Sequence, residues 1–197
     1  MSKGQQTRER IIQLAAPIFN KHGYEGTALS DLMEATGLEK GGLYRHFASK
    51  QELAAEAFDF AWATAVRVRA DGMDGSGNAV DRLKRMIQNF VEIRTGLVPG
   101  GCPLLNTAID ADDGNAVLRE RVQKALDSWL ERLAAIVKQG MKRGEIQKNA
   151  DASEIAALIV SNLEGALMVS RVSRNRQAME WAKLHLYGYL DKSVRAR

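Results

Sequence analysis

The sequence predicts an all-α fold. Three observations carry that prediction: only three prolines in 197 residues, apolar stripes that recur at the helical period of 3.6, and no stretch of clean apolar–polar alternation. About nine helices follow from the stripes. They group into a three-helix N-terminal domain over residues 1–50, with a helix-turn-helix at about 29–48, and a larger helical domain over residues 51–197.

The first helix is expected over about Thr7 to His22, with Ile11, Leu14, Ala15, Ile18 and Phe19 as its inner stripe. Pro17 falls inside the stripe. Proline costs about 3 kcal/mol in a helix interior, so a local kink is expected there. Arg8 and Arg10 lie near the helix start; each either reaches a phosphate or stays a solvated charge, and the sequence leaves both open.

Thr27 to Lys50, TALSDLMEATGLEKGGLYRHFASK, is the most informative stretch. Thr27 is the expected N-cap of a short second helix, about Ala28 to Ala35, whose apolar face is Leu29, Leu32 and Met33. Gly37 supplies a sharp turn behind it. A third helix is expected over about Lys40 to Phe47. Leu43 and Phe47, one turn apart, form its inner face, and Lys40, Gly41, Gly42, Tyr44, Arg45 and His46 its outer one. Ser49 and Glu52 then read as a capping box for a fourth helix. Two short helices joined by a glycine turn, the second basic and aromatic outside, form a helix-turn-helix, which places its second helix in a DNA major groove.

The fourth helix runs to about Ala70. It has one stripe of Leu53, Ala57, Ala61, Thr64 and Val68 and another of Phe58, Trp62 and Val66, the pattern of a helix buried on two sides. Asp71 to Asn78 is a glycine-rich loop. Its Gly-Ser-Gly is no dinucleotide site, because no strand precedes it and the third glycine is missing. The fifth helix covers about Ala79 to Thr95, with Val80, Leu83, Ile87, Phe90 and Val91 inward. VPGGCP, residues 98–103, breaks the chain before a short helix at about 104–111. A long helix from about Asn115 to Arg143 carries Leu118, Val122, Leu126, Trp129, Leu133, Ile136 and Val137 and ends at Gly144. The last two helices span about 151–174 and 176–193. Their stripes are Ile155, Leu158, Ile159, Leu163, Ala166 and Leu167, then Trp181, Leu184, Tyr187 and Leu190. The tail from Arg195 is expected to be disordered.

Composition narrows the function little. Apolar residues make 45%, charged residues 26%, the formal charge is +4 and the pI about 9.3, a mild basic bias. Residues 1–50 hold seven Lys or Arg against five Asp or Glu, so any basic surface there arises from placement. One cysteine excludes an intrachain disulfide and a multi-cysteine zinc site, and no metal or cofactor is expected. No apolar run approaches the roughly 18 residues of a membrane span. MSKGQQTRER lacks the apolar core of a signal peptide, so a cytoplasmic location is expected.

From Gly23-Tyr24-Glu25-Gly26-Thr27 through Thr36-Gly37-Leu38 and Gly42-Leu43-Tyr44-Arg45-His46-Phe47 to Lys50, the chain resembles the TetR family of bacterial transcriptional repressors. The likeness covers roughly residues 7–53; beyond it only the helical layout matches. The resemblance implies an effector-binding and dimerisation domain after the reading head. It implies a homodimer through the last two helices, where Gly165, Ala166 and Gly188 would permit close approach, unless those helices pack within one subunit. It also implies double-stranded DNA, a palindromic operator, as the partner. Position by position, Lys40, Gly41 and Gly42 approach base edges, Arg45 is the best reader of guanine, and Thr27, Tyr44, His46 and Lys50 match phosphate positions.

Trp62, Phe90, Trp129 and Trp181 are expected either to line an effector cavity between the fourth and ninth helices or to be plain core. Cys102, in Gly-Gly-Cys-Pro before a helix start, resembles the Gly-Cys element of a subset of these regulators, some of which sense electrophiles; the alternative is an inert buried thiol. Two other classes stand beside the regulator. One is an enzyme with Cys102 as nucleophile, which no His–Asp pair, Gly-x-Ser-x-Gly or phosphate loop supports. The other is a helical interaction module without effector control.

Overall fold

The computed structural model describes residues 2–70, 77–92, 98–112 and 114–196. Among them the secondary structure is helical, apart from one isolated bridge between Ile146 and Arg195. The helices are α1 (Lys3–His22), α2 (Leu29–Thr36), α3 (Lys40–Tyr44), α4 (Lys50–Arg69), α5 (Ala79–Glu92), α6 (Pro103–Ala111), α7 (Ala116–Lys142), α8 (Ala152–Val172) and α9 (Gln177–Tyr189). A π-helical turn, Leu190–Val194, continues α9. Most of the expected 71–78 loop, the expected end of the fifth helix past Glu92, and Arg197 lie outside the described residues.

The chain forms two compact units. The first comprises Met1–Val66 and Gly96–Leu126, the second Arg67–Thr95 and Asp127–Arg197. Besides α1, α2 and α3, the first unit therefore takes in most of α4, all of α6 and the start of α7.

In the first unit, Ile11 and Ala15 of α1 meet Leu32 of α2, Leu43 of α3, Phe47 and Leu53 in one buried cluster. The inward residues are those the helical period selects, with Leu14, Ile18 and Phe19 only half-buried. Pro17 sits within the α1 span. That helix starts four residues earlier than expected because the Ser2 hydroxyl accepts from the Gln5 amide at 3.3 Å. Arg8 belongs to the internal structure, which settles the choice the sequence left open. Its guanidinium pairs with Glu56, bonds Glu52 at 3.0 Å, donates to the His46 carbonyl at 3.3 Å and lies 4.4 Å from the centre of the Phe47 ring. The hydrogen bond to Glu56 is the main reason its pKa stands above the ordinary arginine value.

In the second unit, α5 buries Val80, Leu83, Ile87, Phe90 and Val91 as its period requires. Asp151 caps α8, accepting from the amides of Ser153 at 2.8 Å and Glu154 at 3.1 Å. Three expectations fail here. The tail is ordered through Ala196: Gln147 donates to the Val194 carbonyl at 3.0 Å, Ala196 to that of Glu145 at 3.0 Å, and Arg195 bonds Asp81 at 2.8 Å. The stripe of α9 is also misassigned in part, although Leu190 is buried and Tyr187 half-buried as expected. Met179, Leu186 and Leu190 face inward, whereas Trp181 and Leu184 are 63% and 65% exposed. α8 is, against expectation, long and apolar enough to cross a membrane by length and composition. Ile155, Ala156, Ile159 and Leu163 are buried within the unit, and 44% of its apolar window is covered.

Arg8→Ala removes one cation from two carboxylates, a carbonyl and a ring at once. Its side chain is 31% exposed, so the expected loss is about 1–2 kcal/mol. Urea denaturation measures it, and Arg8→Lys, which lacks the planar fork, should recover little of the loss.

Candidate nucleic-acid interface

α2 and α3 are set by local chemistry. Ala28 is the N-cap of α2, in place of the expected Thr27, and the Asp31 carboxylate accepts from the Ala28 amide at 2.9 Å. Gly37 closes α2 in the left-handed conformation, φ 68°. Leu38, half-buried, packs against the core cluster. α3 is a helix of five residues from Lys40 to Tyr44, shorter than the expected reach to Phe47; the chain continues in a turn through Arg45 and His46. Two glycines in five residues account for the short run, since glycine costs about 1 kcal/mol each against alanine. Leu43, 3% exposed, and Phe47, 3% exposed, anchor it from below.

The opposite face is open. Lys40, Gly41, Tyr44 and Arg45 are exposed, and Gly42 and His46 are half-covered. Among the described residues, Lys40 and Arg45 enter no side-chain hydrogen bond or ion pair, so both charges are available to a partner. Nothing lies within 4 Å of where a Cβ on Gly41 would stand, and on Gly42 it would touch only Leu38 at 3.4 Å. A duplex edge can therefore come close to the backbone there.

α4 begins with Ser49 accepting from the Glu52 amide at 3.1 Å, as expected. Glu52 reaches back one residue farther than a capping box, accepting from the Ala48 amide at 2.6 Å. This fixes Lys50 at the rim, its ammonium 4.5 Å from the centre of the Tyr24 ring. Burial, and then the charge of Glu25, raises the Tyr24 phenol pKa.

Thr27 departs from the expected role. It is fully buried, and its hydroxyl donates to the Gly23 carbonyl at 2.6 Å. It shapes the turn before α2 and does not offer its side chain to a phosphate.

The expected effector residues are divided between the two units. Phe90 and Trp129, both buried in the second unit, stack with ring centres 5.9 Å apart, and the Arg69 guanidinium lies 4.1 Å over Phe90. Trp181 is exposed on α9. Trp62, half-buried, and Cys102 belong to the first unit. Cys102 is the N-cap residue of α6, where the sequence placed it, and is fully buried. Sequence reasoning missed Asn20, Asn106 and Asp110, polar residues that meet beneath the reading head. A lone asparagine on an apolar helix face was the one local signal.

The pattern described as "Bacterial regulatory proteins, tetR family" matches residues 11–57, and that described as "Tetracyclin repressor-like, C-terminal domain" matches residues 79–186. The chain is similar to a TetR transcriptional regulator from Chloroflexus aurantiacus J-10-FL, at 46% identity over the whole of both chains with a TM-score of 0.94. It is similar to a TetR family regulator from Cytophaga hutchinsonii at 33% identity, covering 100% of this chain and 98% of that one, TM-score 0.94. It also matches the HTH-type transcriptional repressor DhaR of Mycobacterium sp. strain GP1, at 21% identity over 88% of this chain and 86% of that protein.

Arg45 and the half-buried Lys50 are expected to divide the work. Arg45→Ala should cost about 1–3 kcal/mol on a selected duplex and relax preference at one base position. Lys50→Ala should weaken binding to every sequence and shallow the salt slope by about one. Titrations against selected and random duplexes check both, and an equal loss on the two duplexes for both variants would contradict the division.

Proposed function

We propose a function from one premise: the chain belongs to the TetR family of bacterial regulatory proteins. As such it is a DNA-binding transcriptional regulator. The finer reading is a homodimeric repressor, working in the cytoplasm, that occupies a palindromic operator and leaves it when an effector binds. The carrying observation is the α3 face, where Lys40 and Arg45 stand exposed and uncommitted over a buried anchor of Leu43 and Phe47.

The dimer reading rests on α8 and α9. Met168, Val169 and Val172 of α8 and Trp181 and Leu184 of α9 are exposed, an apolar strip that no other described residue of the chain covers. Cβ positions on Gly165 and Gly188 would meet nothing within 4 Å, so their smallness serves no packing inside the chain. A second copy of the same two helices is the occupant that suits both facts, because a two-fold interface is self-complementary. Two reading heads would then meet successive major grooves, roughly 34–36 Å apart.

Release requires an effector that favours one of two dimer states. Phe90 and Trp129, the stacked aromatic pair of the second unit, are the effector contacts this reading names. For Cys102 to sense an electrophile, the loop carrying it would have to open, since its thiol is covered. The same burial argues against Cys102 as a catalytic nucleophile.

The double substitution Trp181→Glu with Leu184→Glu should turn a dimer into a monomer by sedimentation velocity, with helicity unchanged. Affinity for operator DNA should fall roughly a hundredfold as the second reading head is lost. A monomeric wild type, or a doubly substituted protein that stays dimeric, would contradict the interface.

A further inference from the structure

Beneath the reading head, α6 and the loop before it are fastened to α1 by buried amides. Asn20, 6% exposed near the end of α1, donates its side-chain amide to the carbonyls of Pro99 at 3.1 Å and Gly101 at 3.3 Å. Asn106 of α6 donates in return to the Asn20 carbonyl at 2.8 Å and to that of Gly100 at 2.9 Å. The fit is close: Gly100 has φ 122°, and a Cβ there would stand 2.7 Å from the Asn20 carbonyl oxygen.

One turn along α6, Asp110 reaches the chain leaving α1. Its carboxylate accepts from the Tyr24 amide at 2.6 Å and lies so close to Gly23 that a Cβ there would meet it at 2.6 Å. Gly23 and Tyr24 lead directly to the reading surface. The Gly23 carbonyl receives the Thr27 hydroxyl that sets the start of α2, and the Tyr24 ring carries Lys50 over its face. A continuous run of hydrogen bonds and contacts thus joins α6 to a predicted phosphate contact without passing through the body of α4.

We propose that Asp110 and Asn106 are positioning residues for DNA binding: Asn106 holds the end of α1 at Asn20 and Asp110 the Gly23–Thr27 turn that follows it, so that α6 helps set the affinity of the reading head. They touch no DNA themselves. The inference rests on the DNA-binding reading and adds a second route by which a change at α6 alters it. Because coupling between sites is reciprocal, DNA on the reading head must also steady α6 and the 98–102 loop.

The test uses the full-length protein and a duplex selected by the wild type from a random library. Asp110→Asn keeps an oxygen that can accept from the Tyr24 amide, and Asp110→Ala does not. Asp110→Ala should lose about tenfold in affinity, Asp110→Asn little, with circular dichroism unchanged in both. Hydrogen exchange supplies the readout a merely structural role would not move. The duplex should slow exchange across residues 98–110 in wild type and Asp110→Asn, and fail to do so in Asp110→Ala. Asn106→Ala should behave as Asp110→Ala does, and decides the matter if the latter unfolds. Equal affinity for all variants, or no slowing at 98–110 in the wild type, overturns the proposal. If the wild type selects no duplex, the DNA-binding reading fails instead. The free proteins still decide the positioning role, because amides 24–27 should exchange faster in Asp110→Ala than in Asp110→Asn.

Discussion

A helix of five residues with two glycines cannot hold itself together in water, because nucleation is unfavourable and each glycine adds to the cost. α3 therefore exists only because its surroundings impose it. Leu43 and Phe47 lock it to Ile11, Ala15, Leu32 and Leu53, and Arg8 ties the carbonyl of His46 and the ring of Phe47 to the carboxylates of α4. The outer face is released from structural duty by the same arrangement. Lys40 and Arg45 enter no side-chain hydrogen bond or ion pair among the described residues, which frees their chemistry for a partner.

This division explains why the support extends so far from the surface it serves. The turn that starts α2 depends on Thr27 and Gly23, and Gly23 is held by Asp110 more than eighty positions along the chain. A regulator has reason to build its reading head this way. A turn held by α6 can be altered by a change at α6, in addition to any change in how the two heads of a dimer are placed.

Much of this was legible in the sequence, and the failures share a cause. The helix-turn-helix could be read because its signals are local: the glycine after α2, the spacing of Leu43 and Phe47, and the Ser49–Glu52 cap all lie within a few residues. Arg8 could not be assigned, since its partners stand 38 to 48 positions away. Asn106 and Asp110 were invisible for the same reason, and Asn20 offered only its place on an apolar helix face. Periodicity marks an apolar face but not what covers it, so Trp181 and Leu184 read as core although the chain leaves them exposed. The composition of α8 misleads likewise, because a helix apolar on several sides suits a core, a partner or a bilayer equally. Thr27 shows the reverse error, a residue type suited to a cap or a phosphate that instead spends its hydroxyl on a neighbouring carbonyl.

The central claim is that the α3 face reads duplex DNA, twice per particle. Selection of duplexes from a random library by the full-length protein tests it most directly. The account predicts enriched sequences built of two inverted half-sites, with centres about 10–10.5 base pairs apart or a multiple of that. No enrichment over the input, or a single half-site bound by a monomer, would contradict it.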